Sequence, residues 1–428
     1  MELKIKFRNK IDRLKELWEY KIFRYTIILH GIYFIISLIL TLTIFRIKND
    51  FLVYYTVGKI FVTDINDLYN RANYLWPFRY LPLSAVIFIP FYLLGFDLGF
   101  IVFNIFNLVF NILISLILYK LIILIRGDDH EKNEKRVITY ICIYFLSLPQ
   151  IFNYILGQIN LYIVFLILLS LFLYLKHENI KWQFIAGLIL GITIIIKPIT
   201  IFMTPFLILL KYDFKRKKFI FNFLHTISRL GGVILPISLN LIIFLSHPSL
   251  LDGFIDINLV GEDTLYVNHS FSLTKIIQNL LFFIGIPETS LLNLQILIFI
   301  AVLMIIGGLG FVIYIFRGQI SDPLIYGYTL GILIMLIAYF DSWDHHLLIL
   351  TPFLILIIFN LPRNSDITKR FIKPSFFFFN FFDLLFMGIA YIWFHFNFES
   401  TIFLLLIFYG ICKFCLSTRH LLNRDDLE

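Results

Sequence analysis

Residues 79–96 read RYLPLSAVIFIPFYLLGF. The stretch is apolar enough to cross a bilayer, but Pro82 and Pro90 interrupt it. Whether it crosses sets the direction of every later segment. Around it, apolar runs recur along the chain, at about 24–45, 98–125, 137–155, 160–175, 183–197, 199–211, 220–246, 292–316, 323–340, 346–360, 376–395 and 400–416. Runs of this composition read as membrane-spanning helices. If 79–96 stays on one side, they make twelve spans with both termini cytoplasmic. The inner face then receives all but seven of the 36 Lys and Arg. The seven left outside are Arg46, Lys48, Lys59, Arg71, Arg79, Lys197 and Lys275. If 79–96 crossed, the basic loops that follow would face outward, against the bias that orients membrane proteins. The stretch is therefore expected to lie in, or dip into, the outer interface.

The composition agrees. The chain has 428 residues, is 60% hydrophobic and only 15% charged, and has a mean hydropathy of +0.87, far more apolar than a soluble chain of this length. The alternating ten-residue segments of a transmembrane barrel are absent. The reading is an all-α polytopic membrane protein of about twelve transmembrane helices, forming a single transmembrane domain over 24–428. A basic amphipathic cytoplasmic segment, 1–23, precedes it and leads straight into the first span, with no cleavable signal peptide visible. The formal charge of +8 is spread over short loops and reads as topogenic, not as a nucleic-acid surface. Lys215 to Lys218 is such a run. Cys412 and Cys415 form a lone CxxC, too few ligands for structural zinc, and read as helix packing. No GxxxxGK[ST] loop, HExxH or metal-spaced His/Cys set is found, so neither nucleotide nor metal is implied, and no cofactor is expected.

This topology leaves two long loops outside, 46–97 and 247–291, the first carrying interfacial helices. It also leaves short outer turns at GQIN (157–160), IKPIT (196–200), DSWDHH (341–346) and HFNFES (395–400). The inner loops are short and leave no room for a soluble domain, so any chemistry belongs to the outer face. Polar groups near membrane depth are costly and need a reason. Here they gather at outer span ends: Asp50, Lys197, His345 with His346, and Gln158 with Asn160. A carboxylate, an ammonium and imidazoles on one surface are the inventory for general-base catalysis beside a phosphate. Each has a plainer reading. Asp50 can be a solvated loop acid or a helix cap, and Asp64, Asp67, Asp256, Glu262 and Asp263 compete with it. Lys197 can snorkel to the interface. The two histidines can hydrogen-bond headgroups, and GQIN can be a polar turn. Phe376 to Phe379 reads as lipid-facing packing, and GGLG at 307–310 as close helix contact.

The motifs, in their order, resemble a known family. NDFLVYYTVGKIF…DLYN…FRYLPLSAVIFIPF is similar to the first outer loop of GT-C membrane glycosyltransferases, nearest to glycosyltransferase family 87, the polyprenol-phosphate-mannose-dependent α-mannosyltransferases. GQINLYIVFLILLSLFLYL and AGLILGITIIIKPITIFMTPFLIL resemble that family's GQ-N span and its AG-x3-G-x5-KP pair. NHSFSL (268–273) and SWDHHLLILTPFLIL resemble its later outer-loop motifs. The resemblance covers 46 to about 360. It implies a sugar donor linked to polyprenyl phosphate, a glycolipid or glycan acceptor, and inverting transfer of a hexose, mannose in the family, on the outer face of the cell membrane among its lipids. It implies Asp50 as general base and Lys197 with His345 or His346 on the leaving phosphate. Tyr54, Tyr80, Gln158, Asn160, Asn268 and Trp343 would line the substrate groove, and 79–96 would help shape it for the lipid. The family's usual YPP is Tyr80-Leu81-Pro82 here, and LYNRANY also resembles the glycolipid-anchor mannosyltransferases, which leaves sugar and acceptor open.

Two other classes fit parts of the pattern. A transporter or flippase of lipid-linked glycans would also bind polyprenyl phosphate, but should place polar residues mid-span and on both faces, in matching broken helices of two repeats. No such repeat is evident. A ligase or polymerase moving whole glycans would be expected to use arginines in a large outer loop, and 247–291 has none. A non-catalytic membrane scaffold is the third alternative.

Overall fold

The computed structural model describes residues 15–127, 130–260, 270–362, 365–394 and 397–418. Among these, six helices are long and apolar enough to cross a membrane: Lys21–Thr43, Phe96–Arg126, Phe223–Ser246, Glu288–Ile315, Thr368–Ala390 and Glu399–Ser417. A seventh crossing is available to the pair Glu134–Phe145 and Leu148–Leu156, bent by 42° where Pro149 opens the second helix. Seven further apolar helices are shorter, among them Asn160–Lys176, Ile180–Ile196 and Pro323–Ala338. The protein is thus an all-α polytopic membrane protein.

The centre of the bundle is made by two of the shorter helices. Every residue from Leu324 to Ala338 is buried, and so is every residue from Leu347 to Phe359. A helix apolar on all sides finds its place in the middle of such a bundle. Peripheral helices instead turn apolar side chains outward, as Ile28, Ile35 and Ile39 do on the first span. Helices Ile180–Ile196 and Phe223–Ser246 lie backbone to backbone, because Gly187 and Gly232 face the partner helix with no side chain between.

Hydrogen bonds sort the connections into two ends. At one end Phe271 and Ser342 pair through their backbones, Leu81 N–H donates to Ile195, and Arg71 meets Asp256. At the other end Arg126 donates to the Leu361 carbonyl, His225 bonds Glu178, and Tyr326 donates to Asn360. Arg126 on one side, and Asp256 and Phe271 on the other, therefore belong to opposite ends.

Two segments differ from their sequence reading, and the 79–96 stretch takes a broken helical form. Residues 199–211 are not an α-helical span. Pro198–Leu207 is a 3-10 helix with Pro205 inside it, followed by the strand Leu210–Asp213, which pairs antiparallel with Lys218–Phe221. The basic run 215–218 forms the tip of this hairpin. Proline removes the N–H that an α-helix needs, and the tighter coil rises about 2 Å per residue, so ten residues still pass between the two ends. The 79–96 stretch is a 3-10 helix, Pro82–Phe88, and a short α-helix, Ile89–Leu93. It enters the bundle: Ser84, Ala85 and Phe88 are fully buried, and Leu83 N–H donates to Asn240 in the Phe223–Ser246 helix. Finally, Asp50 does not end the first span. That helix stops at Thr43, and Asp50 is the first residue of a separate helix, Asp50–Thr63.

Candidate active site

The Asp50 helix is capped by its neighbour. Asn49 Oδ1 accepts from Leu52 N–H at 2.8 Å, while its amide donates back to the Phe45 and Arg46 carbonyls. This fixes the turn out of the first span and sets a half-buried carboxylate at a helix N-terminus, where the helix dipole favours negative charge. Gln158 donates its side-chain amide to Asp50 Oδ2. Gln158 can reach because Gly157 ends the preceding helix at φ +65 with its Cα pressed on Phe51; a Cβ there would sit 2.6 Å from Phe51 Cβ. The GQIN turn is thus a tight joint, with Gln158 buried, and not a solvated loop.

Tyr54, one turn after Asp50, stacks on Phe88 with ring centroids 4.6 Å apart, and its hydroxyl lies 3.0 Å from that of Tyr80. Lys197 caps the Ile180–Ile196 helix just before Pro198. It does not snorkel: it is 4% exposed and donates from Nζ to Asn160 Oδ1 at 2.6 Å. Asn160 in turn donates to the His345 carbonyl at 3.2 Å, tying the Lys197 helix end to the 341–346 turn. In that turn the Trp343 backbone N–H donates to His346 Nδ1. A ring nitrogen that accepts carries no proton, so His346 is neutral with its proton on Nε2. It is a hydrogen-bond donor, not the cation the phosphate reading asked for.

These side chains surround one cavity of about 780 Å³. Asp50, Gln158, Lys197, His345, His346, Tyr54, Tyr80 and Trp343 all line it. Asn160 stands behind Lys197, outside the lining, and Asn268 lies outside the described residues. Of the competing acids, Asp64, Asp67 and Asp256 are exposed and none lines the cavity; Glu262 and Asp263 are outside the described residues. The segment 81–93 lines nothing here. The wall comes instead from Trp76 to Tyr80 just before it.

The rest of the lining is mixed: Lys48, Arg79, Asn258 and Asp341 are polar, and an apolar part follows the 3-10 helix from Lys197 through Ile199, Ile201 and Phe202, with Phe299 against Phe202. Ile201 is itself exposed on the outside of the bundle. The cavity therefore joins charged groups to an apolar lane, of which Ile201 is also exposed at the surface. Burial pushes the Asp50 carboxyl up, to about 7, against the opposing pull of the Gln158 amide and of Lys197. A carboxylate with that pKa is a better proton acceptor near neutrality than a solvated one.

Two lining residues were not singled out from sequence. Arg79 carries no role in the sequence reading beyond being one of seven outer cations and part of the quoted FRYLPLSAVIFIPF stretch, and Asp341 none beyond the DSWDHH turn. They form an ion pair at 3.1 Å within the cavity wall. Their only signal was position, Arg79 inside the FRYLPLSAVIFIPF stretch and Asp341 at the head of DSWDHH.

The family model for glycosyltransferase family 87 matches residues 78–339. The chain belongs to glycosyltransferase family 87. It is a membrane glycosyltransferase, and the matched region holds Tyr80, Gln158, Asn160 and Lys197, while Asp50 and the 341–346 turn fall just outside it. No curated protein and no solved structure matches the chain.

Proposed function

We propose that this family-87 glycosyltransferase is an inverting hexosyltransferase. It takes its sugar, mannose in the first instance, from polyprenyl phosphate and passes it to a hydroxyl of a glycolipid or glycan. The observation that carries the reading is the union, in one cavity, of Asp50 and Lys197 with an apolar lane along Ile199, Ile201 and Phe202, in which Ile201 is also exposed at the surface. A nucleotide sugar has no use for such a lane, whereas a polyprenyl chain needs one.

In this reading the polyprenyl tail lies along Ile199, Ile201 and Phe202, and its phosphate meets Lys197. An ammonium has three donors, and Asn160 occupies one, which leaves two for phosphate oxygens. His345 and His346 add neutral ring contacts. Asp50 accepts the proton of the acceptor hydroxyl as its oxygen attacks the anomeric carbon. The bond from that carbon to the phosphate oxygen breaks with its electrons going to phosphate, and the configuration inverts. Gln158 holds the carboxylate in place, and Lys197 stabilises the charge that grows on the leaving group.

The membrane arrangement follows from charge. The end away from the cavity carries Arg126, Lys176, Lys181, the 215–218 tip and Arg317, so it faces the cytoplasm, with both termini there, and the cavity faces outward. With Asn160–Lys176, Ile180–Ile196, the 3-10 pass Pro198–Leu207, Pro323–Ala338 and Asp344–Asn360 counted as crossings beside the seven above, the chain makes twelve passes. The test is direct. Purified protein given radiolabelled mannose on polyprenyl phosphate should transfer it to a membrane-lipid acceptor extract, and should ignore GDP-mannose. Use of the nucleotide donor alone would overturn the donor assignment.

A further inference from the structure

The hexosyltransferase reading leaves an ion pair in the cavity wall without a task. Asp341 Oδ2 meets Arg79 Nη1 at 3.1 Å, and the two side chains are only 17% and 13% exposed. Asp341 Oδ1 accepts the indole N–H of Trp343. The Tyr339 hydroxyl accepts a second bond from Arg79 Nη1 at 3.4 Å. The four residues come from two segments, Trp76–Tyr80 and Tyr339–Trp343, and all line the cavity.

A pair so nearly desolvated is a poor latch, because apolar residues of equal volume hold two loops together as well or better. Chemistry on a ligand is the alternative, and the ligand's nature follows from the charges. Arg79 neutralises Asp341, so the carboxylate does not repel an incoming phosphate. Two donors fix its plane, one on each oxygen, and each oxygen keeps a further lone pair. A neutralised, oriented carboxylate suits a neutral polyol, whose hydroxyl hydrogens it accepts. The Trp343 ring alongside gives the apolar face of a sugar a surface to lie on.

Position then selects which sugar. Asp341 is tied to both ends of the pocket. Its partner Arg79 precedes Tyr80, whose hydroxyl meets Tyr54 beside Gln158 and Asp50. Its other partner Trp343 bonds His346, and the neighbouring His345 carbonyl is joined through Asn160 to Lys197. Between the group holding the phosphate and the group holding the acceptor hydroxyl lies the donor's own ring, since its anomeric carbon is bonded to one and attacked by the other. Resting on the hexosyltransferase reading above, we propose that Asp341, set by Arg79 and Trp343, binds a ring hydroxyl of the donor hexose and selects which hexose is transferred.

The experiment uses the full-length protein in detergent with polyprenyl-phosphate mannose, polyprenyl-phosphate glucose and monodeoxy versions of whichever is used. For the native protein, one monodeoxy donor should lose about 10- to 100-fold in kcat/KM, the worth of a hydrogen bond to a charged group. Asp341→Asn, checked by monodisperse elution, should lose a similar factor on the parent donor and should no longer discriminate against that deoxy donor. The swapped pair Arg79→Asp with Asp341→Arg restores an ion pair between the loops but presents the wrong group to the sugar, and it should stay impaired. Recovery of native rates in the swap would make the pair a latch and overturn the proposal. So would retention by Asp341→Asn of the full penalty on that deoxy donor. If the variants do not fold, the native protein still decides: equal use of every monodeoxy donor overturns this proposal alone. A native protein that uses no polyprenyl-phosphate hexose at all overturns the hexosyltransferase reading, and this proposal with it.

Discussion

Asp50 could be picked out in the sequence because an acid a few residues past an apolar run is expensive and conspicuous. Its competitors could not be eliminated there, because exposure is a property of the folded chain. The structure separates them: Asp64 and Asp67 are exposed, while Asp50 is enclosed with Gln158. The enclosure has a consequence for pH. A base works only when ionised, and burial has moved this carboxyl up to about 7. Below pH 7, kcat/KM should therefore fall about tenfold per pH unit, and above it should fall again, because burial lowers the Lys197 ammonium to about 7 and its charge is lost there. Gln158 donates to the charged form and so holds the pKa down. Gln158→Leu should move the midpoint of the acid limb to higher pH; an unmoved midpoint would mean that another group is being titrated. Lys197→Met keeps the buried stem and removes the charge. It should fold and lose about 10²- to 10³-fold in kcat, the usual cost of deleting one donor to a developing anion. Arg79 and Asp341 escaped notice for a reason of the same kind. A charge in a loop reads as solvated until its partner, 262 residues away in the chain, is seen beside it.

Segments of regular apolar pattern were legible, and those ruled by proline were not. The long helices Phe96–Arg126 and Phe223–Ser246 nearly match the runs read at 98–125 and 220–246. The run at 199–211 looked no different in hydropathy, yet Pro198 and Pro205 turn it into a 3-10 helix and free its end for a hairpin. That form matters to the site, since the same 3-10 helix lines the apolar lane. The joint at Gly157 was quoted within GQIN without any sign of its strain. Its φ of +65 and its contact with Phe51 admit no side chain. Gly157→Ala should destabilise the fold by about 1–3 kcal/mol or more, from left-handed backbone strain and the clash together. It should also displace Gln158, so transfer should fall further than the shift in melting temperature accounts for. An alanine variant with native melting and native turnover would contradict this view of the joint.

The direction of the bundle rests on basic residues; among the described residues Arg126, Lys176, Lys181, Arg216 and Arg317 lie at the end away from the cavity. The described cysteines, Cys142, Cys412 and Cys415, are all buried, so single introduced cysteines can report sidedness. Ala72→Cys, exposed beside the cavity end, should be labelled by a membrane-impermeant thiol reagent in intact cells. Arg216→Cys, exposed at the hairpin tip, should be labelled only after permeabilisation. The reverse pattern would put the cavity in the cytoplasm and remove the case for an outer-face enzyme. What ties residues, segments and orientation together is the claim that Asp50 takes the acceptor's proton in a transfer from polyprenyl phosphate. The replacement Asp50→Asn keeps the shape and the contact with Gln158 and removes the charge. The measurement is single-turnover transfer of mannose from polyprenyl phosphate by purified native and Asp50→Asn protein of equal melting temperature. A loss of about 10²- to 10⁴-fold in the rate of transfer, with donor binding retained, is the expected result. Transfer by Asp50→Asn within a few-fold of the native rate would contradict the assignment.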